Sequence, residues 1–211
     1  MMPAFFALLL LGLLSLGTPL KASVPPFQHG DRVAFIGDSI THGGRYHADI
    51  YLYHATRFPN HPFVAHNCGI SGDTAPGTNI RFESDIAVHR PTVATIMLGM
   101  NDAYGWAFDP SLALQEKISA QASSYDQYTQ AMNQMAKRLA KMNCRMVFIK
   151  PSIYDQTAVL DQKNLVGKND QLGRFAEYID ELAIKYGASV VDFHTPMSVI
   201  NHVIQVSDPS A

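Results

Sequence analysis

Three short stretches of the chain set a reactive or hydrogen-bonding side chain beside glycine: GDSITHGG from Gly37, NCGISGDTAPG from Asn67 and LGMNDAYGW from Leu98. A turn needs glycine, but it does not need a serine framed by aspartate. A serine placed just past an apolar run presents its hydroxyl, and the backbone N–H groups there point outward and can hold a developing negative oxygen. Ser39 is the candidate nucleophile. Gly72 leaves its N–H open to close approach, and Asn101 offers a side-chain N–H. Together they provide what acyl transfer requires: a nucleophile and preorganised donors around the carbon it attacks.

The neighbours of these residues read differently. Asp38 is too close in sequence to Ser39 to orient a base behind it, which leaves turn hydrogen bonding or a contact with substrate. Asn67 and Asp102 are expected to brace their loops. Tyr104 and Trp106, just after Asn101, can form an aromatic wall for a sugar or acyl chain, or equally a hydrophobic anchor. His42, His47 and His54 lack any H-E-x-x-H or Cys-His pattern, so surface histidines are expected, with no metal and no cofactor.

Elements that could position these loops follow from the pattern. Continuous apolar runs begin at Arg32 (RVAFIG), Pro62 (PFVAHN), Thr92 (TVATIML), Arg145 (RMVFIK) and Ser189 (SVVDF). Such runs mark strands covered on both faces. Helices are expected over 46–57, 78–88, 124–142 and 168–186. The third carries Tyr125, Tyr128, Met132, Met135 and Leu139 at helical spacing, and the fourth stops at Gly187. Strand–helix alternation predicts an α/β fold, a doubly wound parallel sheet with right-handed crossovers. Ligands of such sheets sit beyond the carboxyl ends of the strands, where the three stretches fall. The loop from Pro151 to Gln156 shares that end by position.

Composition narrows the partners. The chain has 211 residues, 47% of them hydrophobic and 16% charged, which suits one globular domain. The apolar run PAFFALLLLGLLSLG, followed by Lys21-Ala22-Ser23, reads as a secretory signal peptide over residues 1–22, with the domain from Ser23 to Ala211. Removing it leaves 15 basic against 18 acidic residues and no cationic stripe, so nucleic acid is excluded and no membrane contact is expected after cleavage. A secreted or periplasmic location follows. Cys68 closes one apolar run and Cys144 opens another, so two separate buried thiols are expected. Neither G-x-G-x-x-G nor G-x-x-x-x-G-K-[ST] occurs, which disfavours a nucleotide or flavin cradle.

GDSI at Gly37, N-x-G-x-x-G-D-T at Asn67 and G-x-N-D at Gly99 resemble, in order, the first three blocks of the SGNH, or GDSL-type, hydrolases. The resemblance covers the chain from about Asp31 onward. It implies a three-layer α/β/α fold with a five-stranded parallel sheet (flavodoxin-like) and ester hydrolysis through an acyl-enzyme. It also implies Ser39 as nucleophile, with the Ser39 N–H, Gly72 N–H and Asn101 amide as oxyanion hole. Small acyl esters, such as acetyl groups on carbohydrate, are the expected substrates. The G-x-S-x-G elbow of the α/β-hydrolases is absent, since Thr41 stands at its second glycine.

One block of the resemblance is not found. The family's fourth signature, D-x-x-H, supplies the base histidine and its orienting aspartate, but Asp208 is followed only by Pro-Ser-Ala. Asp192 precedes His194 at the wrong spacing. The expectation is a chain stopping short of its base, with no closing helix after the fifth strand. His194 and His202 are the possible substitute bases. A serine hydroxyl without a base is a weak nucleophile, and loss of a triad member leaves only ~10³–10⁴-fold catalysis over water. The alternative is a non-catalytic binding protein on the same fold.

Overall fold

The computed structural model describes residues 24–158 and 164–208; the leader expected over residues 1–22 lies outside them. The chain runs through β1 (Arg32–Gly37), α1 (Ser39–His42), α2 (Arg45–Arg57), β2 (Val64–Gly69), α3 (Ala75–Ile80), α4 (Phe82–Asp85) and β3 (Val93–Met97). It continues through α5 (Leu114–Lys141), β4 (Arg145–Ile149), α6 (Lys168–Tyr186), β5 (Ser189–Val191) and α7 (His194–Ser207). The five apolar runs pair, all parallel, in the order β2-β1-β3-β4-β5. That is the doubly wound order, with its switch point between β1 and β3.

Both faces of the sheet are covered, giving the three layers. Alternate strand residues divide the core: Ala34, Ile36, Ala94, Ile96, Met146 and Phe148 join the side chains of α3–α6. Val33, Phe35, Val93 and Val147 face the other way, toward Phe63, Phe27 and the α2 residues Tyr46 and Ile50. On the larger side, α5 buries Tyr128, Met132, Met135 and Leu139 at steps of three and four, and α6 buries Leu172, Phe175, Ile179 and Leu182. Tyr128 stacks on Phe175 with ring centroids 4.0 Å apart, locking the two helices together. On the smaller side an apolar groove of about 270 Å³ runs between α2 and the β4–β5 edge, lined by Phe27, Ile50, Phe58, Ile149 and Phe193.

Three expectations are corrected. The helix read over 78–88 is broken into α3, α4 and a 3₁₀ turn at Ala87–His89. Arg81, at φ −89° and ψ 6°, leaves the helical path between α3 and α4 and sends its guanidinium back to the β2–α3 loop. The helix expected from Ser124 starts ten residues earlier, at Leu114, where the apolar residues Leu114 and Ile118 point to solvent and obscure the pattern. A closing helix after the fifth strand, expected to be missing, is present as α7. It seats a polar stripe on the loop after β4, where Gln205 donates to the Asp155 carboxylate at 2.9 Å and accepts from the Thr157 hydroxyl. Its apolar residues Val199, Ile200, Val203 and Val206 face outward.

Cys68 and Cys144 are both free and buried, as expected, with two strands between those that carry or adjoin them. Burial pushes the Cys68 thiol up to about 11 and the Cys144 thiol to about 12, so both are inert at neutral pH.

Candidate active site

Because β1 lies between β2 and β3, the loops after these three strands meet at one end of the sheet. Gly37 is in register with Gly69 on one side and Met97 on the other. Ser39, Gly72 and Asn101 come from these three loops, which are thereby brought together.

Ser39 opens the one-turn helix α1 and is exposed. Asp38 caps that turn, its carboxylate accepting the Ile40 N–H at 3.0 Å. Asp38 is only 2% exposed, so the substrate contact entertained for it is corrected: it faces inward and sets the angle at which Ser39 leaves the strand. Its burial raises the carboxyl pKa, against the pull of the Ile40 N–H.

Helix α1 crosses directly over the end of β2. A Cβ on Gly69 would come within 2.8 Å of the Thr41 carbonyl carbon, so glycine there lets the turn settle. Asn67 braces the crossing, as expected, by donating to the His42 carbonyl and accepting from the Gly69 N–H, both at 3.0 Å. His42 adds a tie that the motifs did not reveal. Its Nδ1 accepts the Ser71 N–H at 3.2 Å and lies 2.9 Å from the Ser71 hydroxyl. With Nδ1 accepting from the Ser71 N–H, the ring carries its proton on Nε2.

Gly72 has φ +80°, a left-handed conformation with open space where a side chain would project. The backbone N–H groups of Ser39 and Gly72 make no hydrogen bond among the described residues. Asn101 Nδ2 donates one hydrogen to the Asp73 carbonyl at 2.9 Å, which leaves its second hydrogen to give. The next residue, Asp102, accepts the Ala75 N–H on Oδ1 at 2.9 Å, so loop three holds loop two on both sides of Thr74. Asp102 is 2% exposed, and burial pushes its carboxyl up to about 7.

Loop two has a second anchor outside the motifs. Asp73 accepts from the Thr74 N–H, the Thr78 hydroxyl and Arg81, whose Nε and Nη2 both lie 2.7 Å from Oδ2. Arg81 also donates to the Cys68 carbonyl at 2.9 Å. The pair joins residues eight apart across a helix end, a relation with no spacing signature.

Other candidates lie elsewhere. His194, at the start of α7, donates from Nδ1 to the Pro151 carbonyl at 3.3 Å. It follows β5, three strand spacings or about 14 Å from β1. His202 is exposed on α7, over the loop from Ile153 to Thr157. Neither is brought to Ser39, because α7 turns toward α6 and the loop after β4. That loop, Pro151 to Gln156, is accordingly covered by α7. Tyr104 and Trp106 stack with centroids 6.2 Å apart, Tyr104 donating to Gln127 on α5 while Trp106 stays exposed. The surface reading of the other histidines is corrected in part. His54 is buried among Phe27, Phe58 and Phe63, and His47 stacks on Phe35 at 4.7 Å. Among the described residues no cluster of three or more His, Cys, Asp or Glu side chains could hold a metal ion.

The same fold recurs in solved structures. A gut microbial diltiazem-metabolizing enzyme is 39% identical, with a TM-score of 0.82 over 89% of this chain. The chain spans 42% of that enzyme's length. An acetylxylan esterase from Geobacillus stearothermophilus is 20% identical, with a TM-score of 0.67 over 83% of this chain and 82% of its own. Comparison with curated protein sequences finds no match. Residues 35–202, which carry all three loops, match the model of the GDSL-like lipase/acylhydrolase family, and to that family this chain belongs.

Proposed function

We propose that this chain is a secreted or periplasmic serine ester hydrolase that forms an acyl-enzyme on Ser39 and acts on small acyl esters, including acetyl groups on carbohydrate. The observation that carries the reading is the meeting of Ser39, Gly72 and Asn101 on the ends of β1, β2 and β3, with three N–H groups left to give. The Ser39 oxygen adds to the ester carbonyl carbon, and the carbonyl oxygen takes the negative charge among the Ser39 N–H, the Gly72 N–H and the Asn101 amide. The alcohol departs with a proton, and water then releases the acid from the acyl-enzyme. Each donor removed from such a hole costs ~10²–10³ in rate. The family supports ester chemistry; the acetyl-carbohydrate reading leans on the acetylxylan esterase and on the exposed Trp106.

The serine proton needs an acceptor. Among the described residues no hydrogen bond joins a histidine to the Ser39 hydroxyl, and acylation by these residues alone would rest on the oxyanion hole and binding. The test is labelling by a serine-directed fluorophosphonate, beside hydrolysis of p-nitrophenyl acetate. Slow labelling that Ser39→Ala abolishes is the expected result. Labelling unaffected by Ser39→Ala would dismiss the nucleophile, and no labelling at all would favour a non-catalytic binding protein. Fast turnover lost in Ser39→Ala would instead reveal a base at work.

A further inference from the structure

We propose that Asp102 is a positioning residue that works as a neutral carboxylic acid, tying loop two to Asn101, and that its ionisation switches the oxyanion hole off. The inference rests on the reading of Ser39, Gly72 and Asn101 given above. Two consecutive residues of loop three hold loop two: Asn101 through the Asp73 carbonyl and Asp102 through the Ala75 N–H. Asp73 is the residue after Gly72, so these two ties fix where the Gly72 N–H points relative to the Asn101 amide.

The surroundings of Asp102 suit an acid without charge. Its Oδ2 is buried and has no hydrogen-bond partner, and no ion pair reaches it among the described residues. The titratable groups around it add negative charge or none: Asp38 from the end of β1, Asp73 from loop two, Tyr104 from its own loop and Tyr128 from α5. Arg81, the cation bound to loop two, is engaged by Asp73 and by Asp85 at 3.5 Å. A second negative oxygen in that space would have no donor and two carboxylates for company. The neutral acid keeps the Ala75 tie through Oδ1 and spares the charge.

Ionisation then harms the site in two ways. It draws water or a backbone donor toward Oδ2, loosening the tie that sets Gly72. It also places a negative charge behind donors meant for an oxyanion, which like charge opposes. Burial, reinforced by Asp38 and Asp73 and resisted by the Ala75 N–H, pushes the carboxyl up to about 7, so the change falls near neutrality.

The experiment uses the full chain with 13C-labelled aspartate and 15N-labelled glycine, titrated from pH 4 to 9 by NMR, beside fluorophosphonate labelling rates of wild type and Asp102→Asn. Asparagine mimics the neutral acid in shape and keeps the acceptor for Ala75. The Asp102 carboxyl carbon is expected to titrate near 7, with the Gly72 amide following the same curve in wild type only. The ratio of wild-type to Asp102→Asn labelling rates is expected to fall at least about tenfold from pH 6 to pH 9, as one ionisation dictates. A carboxyl that titrates near 4, a Gly72 amide blind to the titration, or a ratio that does not change with pH overturns the proposal. Should Asp102→Asn fail to fold, the wild-type titration and its Gly72 response still decide. Should Ser39 fail to label at any pH, the functional reading falls on its own and the NMR titration judges Asp102 separately.

Discussion

Replacing Arg81 by methionine tests how loop two is held. The guanidinium places two nitrogens 2.7 Å from Asp73 Oδ2, and the two side chains are 13% and 9% exposed, so solvent screens the pair little. Methionine fills a similar volume and leaves the Asp73 carboxylate with two neutral donors, the Thr74 N–H and the Thr78 hydroxyl. Removing one partner of a buried pair costs about 3–5 kcal/mol, because the other charge stays behind without compensation. In a chain of this size each kcal/mol moves Tm by roughly 2–4 °C, so a fall of roughly 6–20 °C is expected in calorimetry. A double-mutant cycle isolates the pair. Asp73→Asn removes the charge, so the double variant with Arg81→Met should recover at least about 1 kcal/mol of the summed single losses. Since the Asp73 carbonyl also accepts from Asn101, the single variant should slow Ser39 labelling as well. A loss below about 1 kcal/mol, the scale of a surface pair, or additive single effects would refute the view that this ion pair anchors the loop.

Three further outcomes follow from the same geometry. Gly72→Ala meets no steric neighbour, so its cost is the left-handed backbone alone, about 1–2 kcal/mol in denaturant unfolding, accompanied by slower Ser39 labelling. Asn101→Ala removes a side-chain donor, and the labelling rate should drop ~10²–10³-fold while the fold survives by circular dichroism. For pH, the raised Asp102 carboxyl means the folded state holds a proton that the unfolded chain releases near 4. Its contribution is therefore full below about pH 4 and lost as pH rises to about 7. The Tm of wild type should fall relative to Asp102→Asn across that window, by the equivalent of on the order of 4 kcal/mol, and run parallel above it.

Much of the architecture was legible because a parallel sheet buried on both faces writes its strands as unbroken apolar runs. Val33–Ile36 and Met146–Ile149 are buried at every position, and their ends were read to within a residue. The run at Pro62 was placed early because β2 is an edge strand: its pairing starts where Val64 meets Arg32, and Pro62 only lends its carbonyl to Gly30. Helix α6 shows its buried stripe plainly, whereas α7 reverses the rule. Its polar residues face the protein and its valines and isoleucines face water, so an amphipathic pattern points the wrong way.

The same division holds at the site. The stretches that carry Ser39, Gly72 and Asn101 stand out in the sequence because each sets a polar or reactive side chain beside glycine within a few residues of a strand end. Asn67 and Asp102 read as braces of their own loops, but the distant partners that complete the bracing are joined by no sequence spacing. Asp73 meets Arg81 across a helix break, His42 meets Ser71 across 29 positions, and Asp102 meets Ala75 across 27. The misreading of 78–88 as one helix has the same root. Continuing the helix through Arg81 would satisfy local propensity, but it would carry the guanidinium away from Asp73 and leave that buried carboxylate without its cation. The break in the helix and the order of loop two are thus one energetic choice. A variant that removes Arg81 gives up the cation that anchors Asp73, the residue next to Gly72, and leaves loop two to its ties with Asn101 and Asp102.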